Sequence, residues 1–135
     1  MVLPQNSAES LILPSSTWHE QLTYPELDTE LNFSKAKEIL EFLGFEHVLN
    51  KQDDLVKVKD SWNKYSGGEK QRILLGRVLY QKPNYCILDE AFSNLDLEWK
   101  KKILTRFRLD GIIYMTIGHD DLLKGFHDDM YTVEN

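Results

Sequence analysis

Two short stretches of this 135-residue chain carry residue types suited to handling phosphate. The first is Ser66-Gly67-Gly68-Glu69, which opens a helical pattern running to about Gln81. A helix start leaves backbone N–H groups without partners and carries roughly half a positive charge, so it attracts anions. Two glycines let a phosphate come close to the backbone, and Ser66 adds a hydroxyl that can cap the helix or meet the phosphate. The second stretch is Tyr85-Cys86-Ile87-Leu88 followed by Asp89-Glu90. An apolar run ending in two acids reads as a buried parallel strand with carboxylates at its C-terminal edge, where open α/β sheets bind ligands.

The elements that must position these residues follow from the flanking pattern. Ser34 is placed to cap a helix to about Leu43, with Ala36, Ile39, Leu40 and Leu43 on one face and Gly44 as its stop. On the helix that starts at Ser66, Ile73, Leu74, Val78 and Leu79 form the buried stripe, while Lys70, Arg72 and Arg77 form the polar side. Pro83 ends that helix and Asn84 begins the strand. Asp96 caps a helix through about Leu109, with Ile103, Leu104 and Phe107 inward and Lys100 to Lys102 as a solvated face. Gly111 ends it, and Ile112 to Ile117 reads as another buried strand. A short helix near Asp120 to Lys124 and a last strand, Met130 to Val133, complete the pattern. Between Asn6 and Glu30, Pro14, Ser15, Ser16 and Pro25 break any long periodicity.

Composition narrows the classes. A chain of this length is one small domain or part of a larger one. The net charge of −6 and a pI near 5.2 argue against a nucleic-acid partner or a polybasic membrane patch. Cys86, the one cysteine, reads as a buried small hydrophobe rather than a ligand or nucleophile, and a reducing compartment is expected. His47 has no partner in sequence and reads as a surface or core histidine. No apolar run approaches the roughly 18 residues of a membrane span, so any membrane role is expected to run through a partner.

The same residues carry a family resemblance. SGGEKQR resembles the signature motif of ATP-binding-cassette (ABC) ATPases, ILDE their Walker B strand, and Ser93-Asn94-Leu95-Asp96 their D-loop. Ile117-Gly118-His119 is similar to the switch-histidine loop, and Leu3-Pro4-Gln5 to the end of the Q-loop strand. These stand in family order at family spacing. Trp18 to Pro25, WHEQLTYP, resembles the segment after the Q-loop in subfamily D, the peroxisomal fatty-acyl transporters, and their bacterial relatives. Trp62 before the signature also suits that subfamily. Departures are Tyr65 where the family favours Leu, Asn94 where Ala is usual, and Asp120 where subfamily D often has Arg.

The resemblance implies an α/β fold: a truncated P-loop NTPase (RecA-like) parallel sheet with the ABC helical subdomain and the Walker A half missing. Residues 1–29 would be the Q-loop segment, 30–83 the helical subdomain with the signature helix, and 84–135 the Walker B, D-loop and switch-histidine region. It implies ATP and Mg²⁺ as cofactors. Ser66, Gly67, Gly68, Glu69, Gln5 and Asp96 would contact nucleotide, Asp89 and Gln5 would serve Mg²⁺, and Glu90 and His119 would be catalytic. Implied partners are a transmembrane domain and a second ATP-binding domain, on the cytosolic face of a peroxisomal or plasma membrane. Trp18 and Leu22 are candidates for the transmembrane-domain contact, or else pack on the helices that follow. No G-x-x-x-x-G-K-S/T occurs in the chain, so the phosphate loop is expected from a partner or a missing segment. An ATPase-inactive fragment serving as an interaction module for a full-length transporter is the alternative.

Overall fold

The computed structural model of the chain describes residues 1–3, 11–49, 54–118 and 121–132, the side chains of 121–123 excepted. Its sheet has three parallel strands in the order β1 (Val2–Leu3), β2 (Tyr85–Asp89) and β3 (Ile113–Ile117). Leu3 pairs with Leu88, Cys86 with Tyr114 and Asp89 with Ile117. The strand that leads into the two acids is therefore central. The expected α/β fold with a parallel sheet is what the chain adopts.

Among the described residues five α-helices lie between the strands: α1 (Trp18–Thr23), α2 (Phe33–Phe42), α3 (Asp54–Lys57), α4 (Gly67–Gln81) and α5 (Leu97–Leu109). Their ends follow from local chemistry. Ser66 starts α4 with a capping box: its hydroxyl accepts the Glu69 N–H, and the Glu69 carboxylate accepts the Ser66 N–H. Asp96 caps α5 through the Trp99 N–H at 2.9 Å. α2 is capped by Asn32, which accepts the Lys35 N–H at 3.1 Å, so Ser34 lies inside the helix and not at its start. Gly44 at φ +84° follows the α2 C-cap, as its role of stop required. α4 ends one residue before Pro83, on Lys82 in the left-handed conformation with its N–H on the Val78 carbonyl.

Leu3, Cys86 and Leu88 on one face of the sheet join Ile73, Leu74, Val78 and Leu79 of α4 and Ile103, Leu104 and Phe107 of α5 in one core. Trp18 and Leu22 are buried in the same core, so they pack on the helices rather than face a partner. Two expectations fail on packing grounds. Arg77 is 3% exposed, not on a polar face, because α4 is covered by α1 on that side. β3 is half-buried at Tyr114 and Thr116 on one face and exposed on the other, with Ile113, Met115 and Ile117 at 73, 59 and 50% exposure. The expected helix near 120–124 is a 3₁₀ turn at Asp121–Phe126, and residues 130–132 of the expected last strand lie in no strand; Asp120 and Val133 lie outside the described residues.

Asp60 joins α1 to the residue before the α4 cap. Its carboxylate accepts from the Trp18 indole (3.0 Å), the Tyr65 hydroxyl (2.9 Å) and the Ser61 N–H (2.7 Å), and pairs with Lys64 at 2.8 Å. Trp18 packs edge-on or tilted against Trp62, Tyr65 and Phe45, with the Trp18 and Trp62 centroids 4.8 Å apart. Burial pushes the Asp60 carboxyl up, but the hydrogen bonds from Lys64, Tyr65, Ser61 and Trp18 outweigh it and hold the group below its ordinary value of 3.8. A depressed folded value means stability present above the unfolded value and lost as pH falls through the folded one. Asp60→Asn is expected to destabilise by about 1–2 kcal/mol at pH 7. The gap to the wild type should shrink below about pH 4, as urea denaturation at pH 7 and pH 3 will show.

Candidate functional site

The site is built where β2 ends. Asp89 is the last strand residue, opposite Ile117 of β3, and Glu90 turns out of the strand with φ +52°. A left-handed conformation at a residue with a Cβ is strained and needs outside support. The Glu90 N–H donates to the Ile117 carbonyl at 2.8 Å, and the Glu90 carbonyl accepts from the Ser93 N–H at 3.3 Å. Both carboxylates are half-buried at the C-terminal end of a parallel sheet, as the strand pattern led one to expect.

The α4 start lies against the loop that follows Glu90. A Cβ at Gly67 would come within 2.9 Å of the Asn94 side-chain nitrogen, and one at Gly68 within 2.8 Å of the Asn94 carbonyl oxygen. The chain itself thus demands Gly68, whose clash is with backbone, before any ligand is considered, while at Gly67 the exposed Asn94 side chain can shift. Ser66 and Gly67 are exposed, and Gly68 and Glu69 are half-buried. Accepting the Glu69 N–H uses a lone pair of Ser66 Oγ and leaves its proton available to donate. The Ser66 N–H bond holds the Glu69 carboxyl below the usual carboxylate range, against a smaller opposing push from burial. The positive pole of α4 is thereby met in part by a carboxylate of its own first turn.

Two of the sequence-picked groups, Ser66 to Glu69 and Asp89-Glu90, are brought together through residues 91–95, and exposed Asp96 closes that loop as the α5 cap. Gln5 and His119 lie outside the described residues. Sequence reasoning missed Gln71, whose buried carboxamide contacts Glu90, Ser93 and Asn94 together. Its only signal was its place two residues past the Gly-Gly-Glu start.

Among the described residues no group of three or more His, Cys, Asp or Glu converges as a metal cage. Asp89 and Glu90 offer adjacent carboxylates, a donor set that fits Mg²⁺ held by one or two carboxylates together with phosphate oxygens and water. Beside them lies a bare apolar face. Ile87, Val2 and Met115 share one row by register, Tyr85 and Ile113 the next, and Asp89 and Ile117 the row at the acidic end. Val2, Tyr85, Ile113, Met115 and Ile117 are all exposed. Among the described residues β3 pairs on one side alone, with β2. No described helix is long and apolar enough to cross a membrane.

Comparison with known proteins agrees with this architecture. The ABC transporter family matches residues 2–93. ATP-binding cassette sub-family D member 3 of Homo sapiens is 34% identical over 117 residues, 83% of this chain. The chain spans 18% of the length of that relative. Among solved structures, a bacterial Atm1-family ABC exporter with ATP bound matches 88% of this chain and 20% of its own, at 23% identity and a TM-score of 0.65. The ADP conformation of an ATP-binding cassette of an ABC transporter matches 94% of this chain and 53% of its own, at 22% identity and a TM-score of 0.58. These likenesses show the fold, and the family match covers most of the sequence. The chain belongs to the ABC transporter family, in its ATP-binding domain.

Proposed function

We propose that the chain is an ATP-binding and hydrolysis half-site of an ABC transporter, coupling ATP to transport across a membrane. The phosphate loop comes from a segment outside these 135 residues or from a partner polypeptide. The observation that carries this reading is the pair Asp89-Glu90 at the end of the central parallel strand, flush with an exposed apolar sheet face and a β3 edge that no other described strand pairs. Parallel sheets are covered on both faces, so this face suits a covering helix and the β3 edge a further strand. A strand added parallel to β3 would end beside the two acids, where its following loop meets the same ligand.

In this reading Asp89 and Gln5 serve Mg²⁺, which supplies charge neutralisation at the phosphates. Glu90 positions and accepts a proton from the attacking water, and His119 contacts the γ-phosphate. Ser66 donates its hydroxyl proton, and the Gly67 and Gly68 amides face the γ-phosphate of ATP held by a second ATP-binding domain, with Glu69 and Asp96 at the rim. The signature, Walker B and D-loop roles, and the division at residues 30 and 84, are part of the same proposal. So is a seat on the cytosolic face of a membrane, through a transmembrane-domain partner. The interaction-module alternative has lost Trp18 and Leu22 as contacts, since both are buried, and it now rests on the bare sheet face.

Calorimetry tests the reading. The chain alone is expected to show no micromolar affinity for Mg-ATP, and mixing with a polypeptide that carries the phosphate loop is expected to create it. Ile113→Lys together with Met115→Lys should abolish that gain while leaving the urea midpoint of the chain unchanged, because both side chains are exposed. Micromolar binding by the chain alone, or assembly untouched by the double variant, overturns the proposal.

A further inference from the structure

Gln71 stands in the second turn of α4, 6% exposed, and no ligand role falls to it. Its amide nitrogen donates to Ser93 Oγ at 3.0 Å and to the Glu90 carbonyl at 3.5 Å. Its amide oxygen accepts the Asn94 N–H at 2.9 Å. One carboxamide thus serves three points of the loop that follows the acids. Only a side chain with both donors and an acceptor at this length can do so. Glu90 needs such a grip, since its φ of +52° persists only where the surroundings over-determine it. β3 holds the Glu90 N–H, and Gln71 and Ser93 hold its carbonyl.

We propose that Gln71 is a positioning residue that locks Glu90 in its left-handed conformation and ties the direction of its carboxylate to the start of α4. Any movement of Ser66 to Gly68 then reaches Glu90 through one rigid helical turn and one side chain. The inference rests on the reading of Glu90 as the group that handles the attacking water. A packing role alone predicts that an apolar residue of equal length will substitute for Gln71. A positioning role predicts that it will not.

The test uses the full chain and two variants, Gln71→Met and Gln71→Glu, followed by backbone NMR and amide exchange between pH 4 and 8. In Gln71→Met the Asn94 amide is expected to exchange at least about tenfold faster relative to the core amide of Val78, because its acceptor is gone. The Glu90 HN–Hα coupling should leave its left-handed value. In Gln71→Glu the carboxylate still accepts from Asn94 but cannot donate at pH 7. The Glu90 and Ser93 resonances should therefore be displaced at pH 7 and return toward wild-type positions as the new carboxyl gains a proton. In the mixed assembly, phosphate release should fall about 10–100-fold in Gln71→Met, the size seen when a group that orients a functional ligand is removed, with partner co-purification unchanged. An unmoved Glu90 coupling in Gln71→Met, or phosphate release within about twofold of wild type, overturns the proposal. If the wild-type assembly releases no phosphate, the hydrolytic reading fails, while the Glu90 coupling and the pH return still decide whether Gln71 sets that conformation.

Discussion

Glu90→Gln is expected to lower phosphate release about 10²–10⁴-fold in an assembly that supplies the phosphate loop, the range for loss of a positioned general base. The substitution keeps shape and volume, so it leaves the backbone bonds to Ile117 and Ser93 in place. What it removes is the capacity to accept a proton from water. An assembly that closes on ATP but cannot turn it over should accumulate in the closed state. Co-purification with the partner in Mg-ATP should therefore rise as phosphate release falls. Asp89 is one peptide bond away and does not rescue the loss, because in this geometry it ends the strand while Glu90 turns out of it. Phosphate release and co-purification measured on the same preparation give the answer. Unchanged release in Glu90→Gln ends the enzyme reading and leaves an interaction module on the bare sheet face.

The parts of this site that were legible in the sequence are those fixed by nearest neighbours. The Ser66–Glu69 capping box spans three residues, and both of its hydrogen bonds are written in that spacing. The apolar run into Asp89-Glu90 needs only its continuous apolar character and its acidic end to be recognised as a strand. The grip on Glu90 was not legible, because Gln71 meets Ser93 and Asn94 more than twenty positions along the chain. Nor does any local rule announce a left-handed conformation at a glutamate. The reason for Gly68 is equally non-local: the Asn94 backbone fills the space that a side chain there would need.

The fold shows the same division. Asp96 and Gly111 bound α5 as caps do, and Ile103, Leu104 and Phe107 face inward as their spacing requires. Ser34 lost the α2 cap to Asn32, two residues of the right type lying within one turn, and the Asn32 N–H is held by the distant Tyr80 hydroxyl at 3.0 Å. Ile112 to Ile117 is apolar but for Thr116, which reads as burial on both faces. Which of two faces is covered depends on what stands across from it. A strand pattern does not carry that information.

Arg77 is where helix periodicity misled most, and it carries the largest expected effect on stability. Its guanidinium lies in the core against the C-terminal end of α1. Nε donates to the Gln21 carbonyl at 2.8 Å, and a terminal nitrogen donates to the Leu11 carbonyl at 3.1 Å and to Gln21 Oε1 at 3.2 Å. The Tyr24 ring lies 5.0 Å from it, and Gln81 adds donors to the Leu22 and Tyr24 carbonyls at 3.0 and 2.7 Å. Six residues of helix cannot hold themselves in water, so α1 depends on this clamp. A cation at its carbonyl end also meets the negative pole of the helix. Burial pulls the Arg77 pKa down to about 10, with Tyr24 pushing weakly the other way, so the group stays charged at neutral pH. Arg77→Ala leaves buried carbonyls without donors and a cavity beside Tyr24, and is expected to cost about 3 kcal/mol. Arg77→Met refills the space but not the bonds, and should cost about 1–3 kcal/mol. Urea denaturation at pH 7 should show a lower midpoint at unchanged slope, with residues 11–24 losing amide protection ahead of α4 and α5. A loss under about 1 kcal/mol in Arg77→Ala, or uniform loss of protection, would mean that packing of Trp18 and Leu22 alone holds α1, and that the buried guanidinium is a passenger in the core.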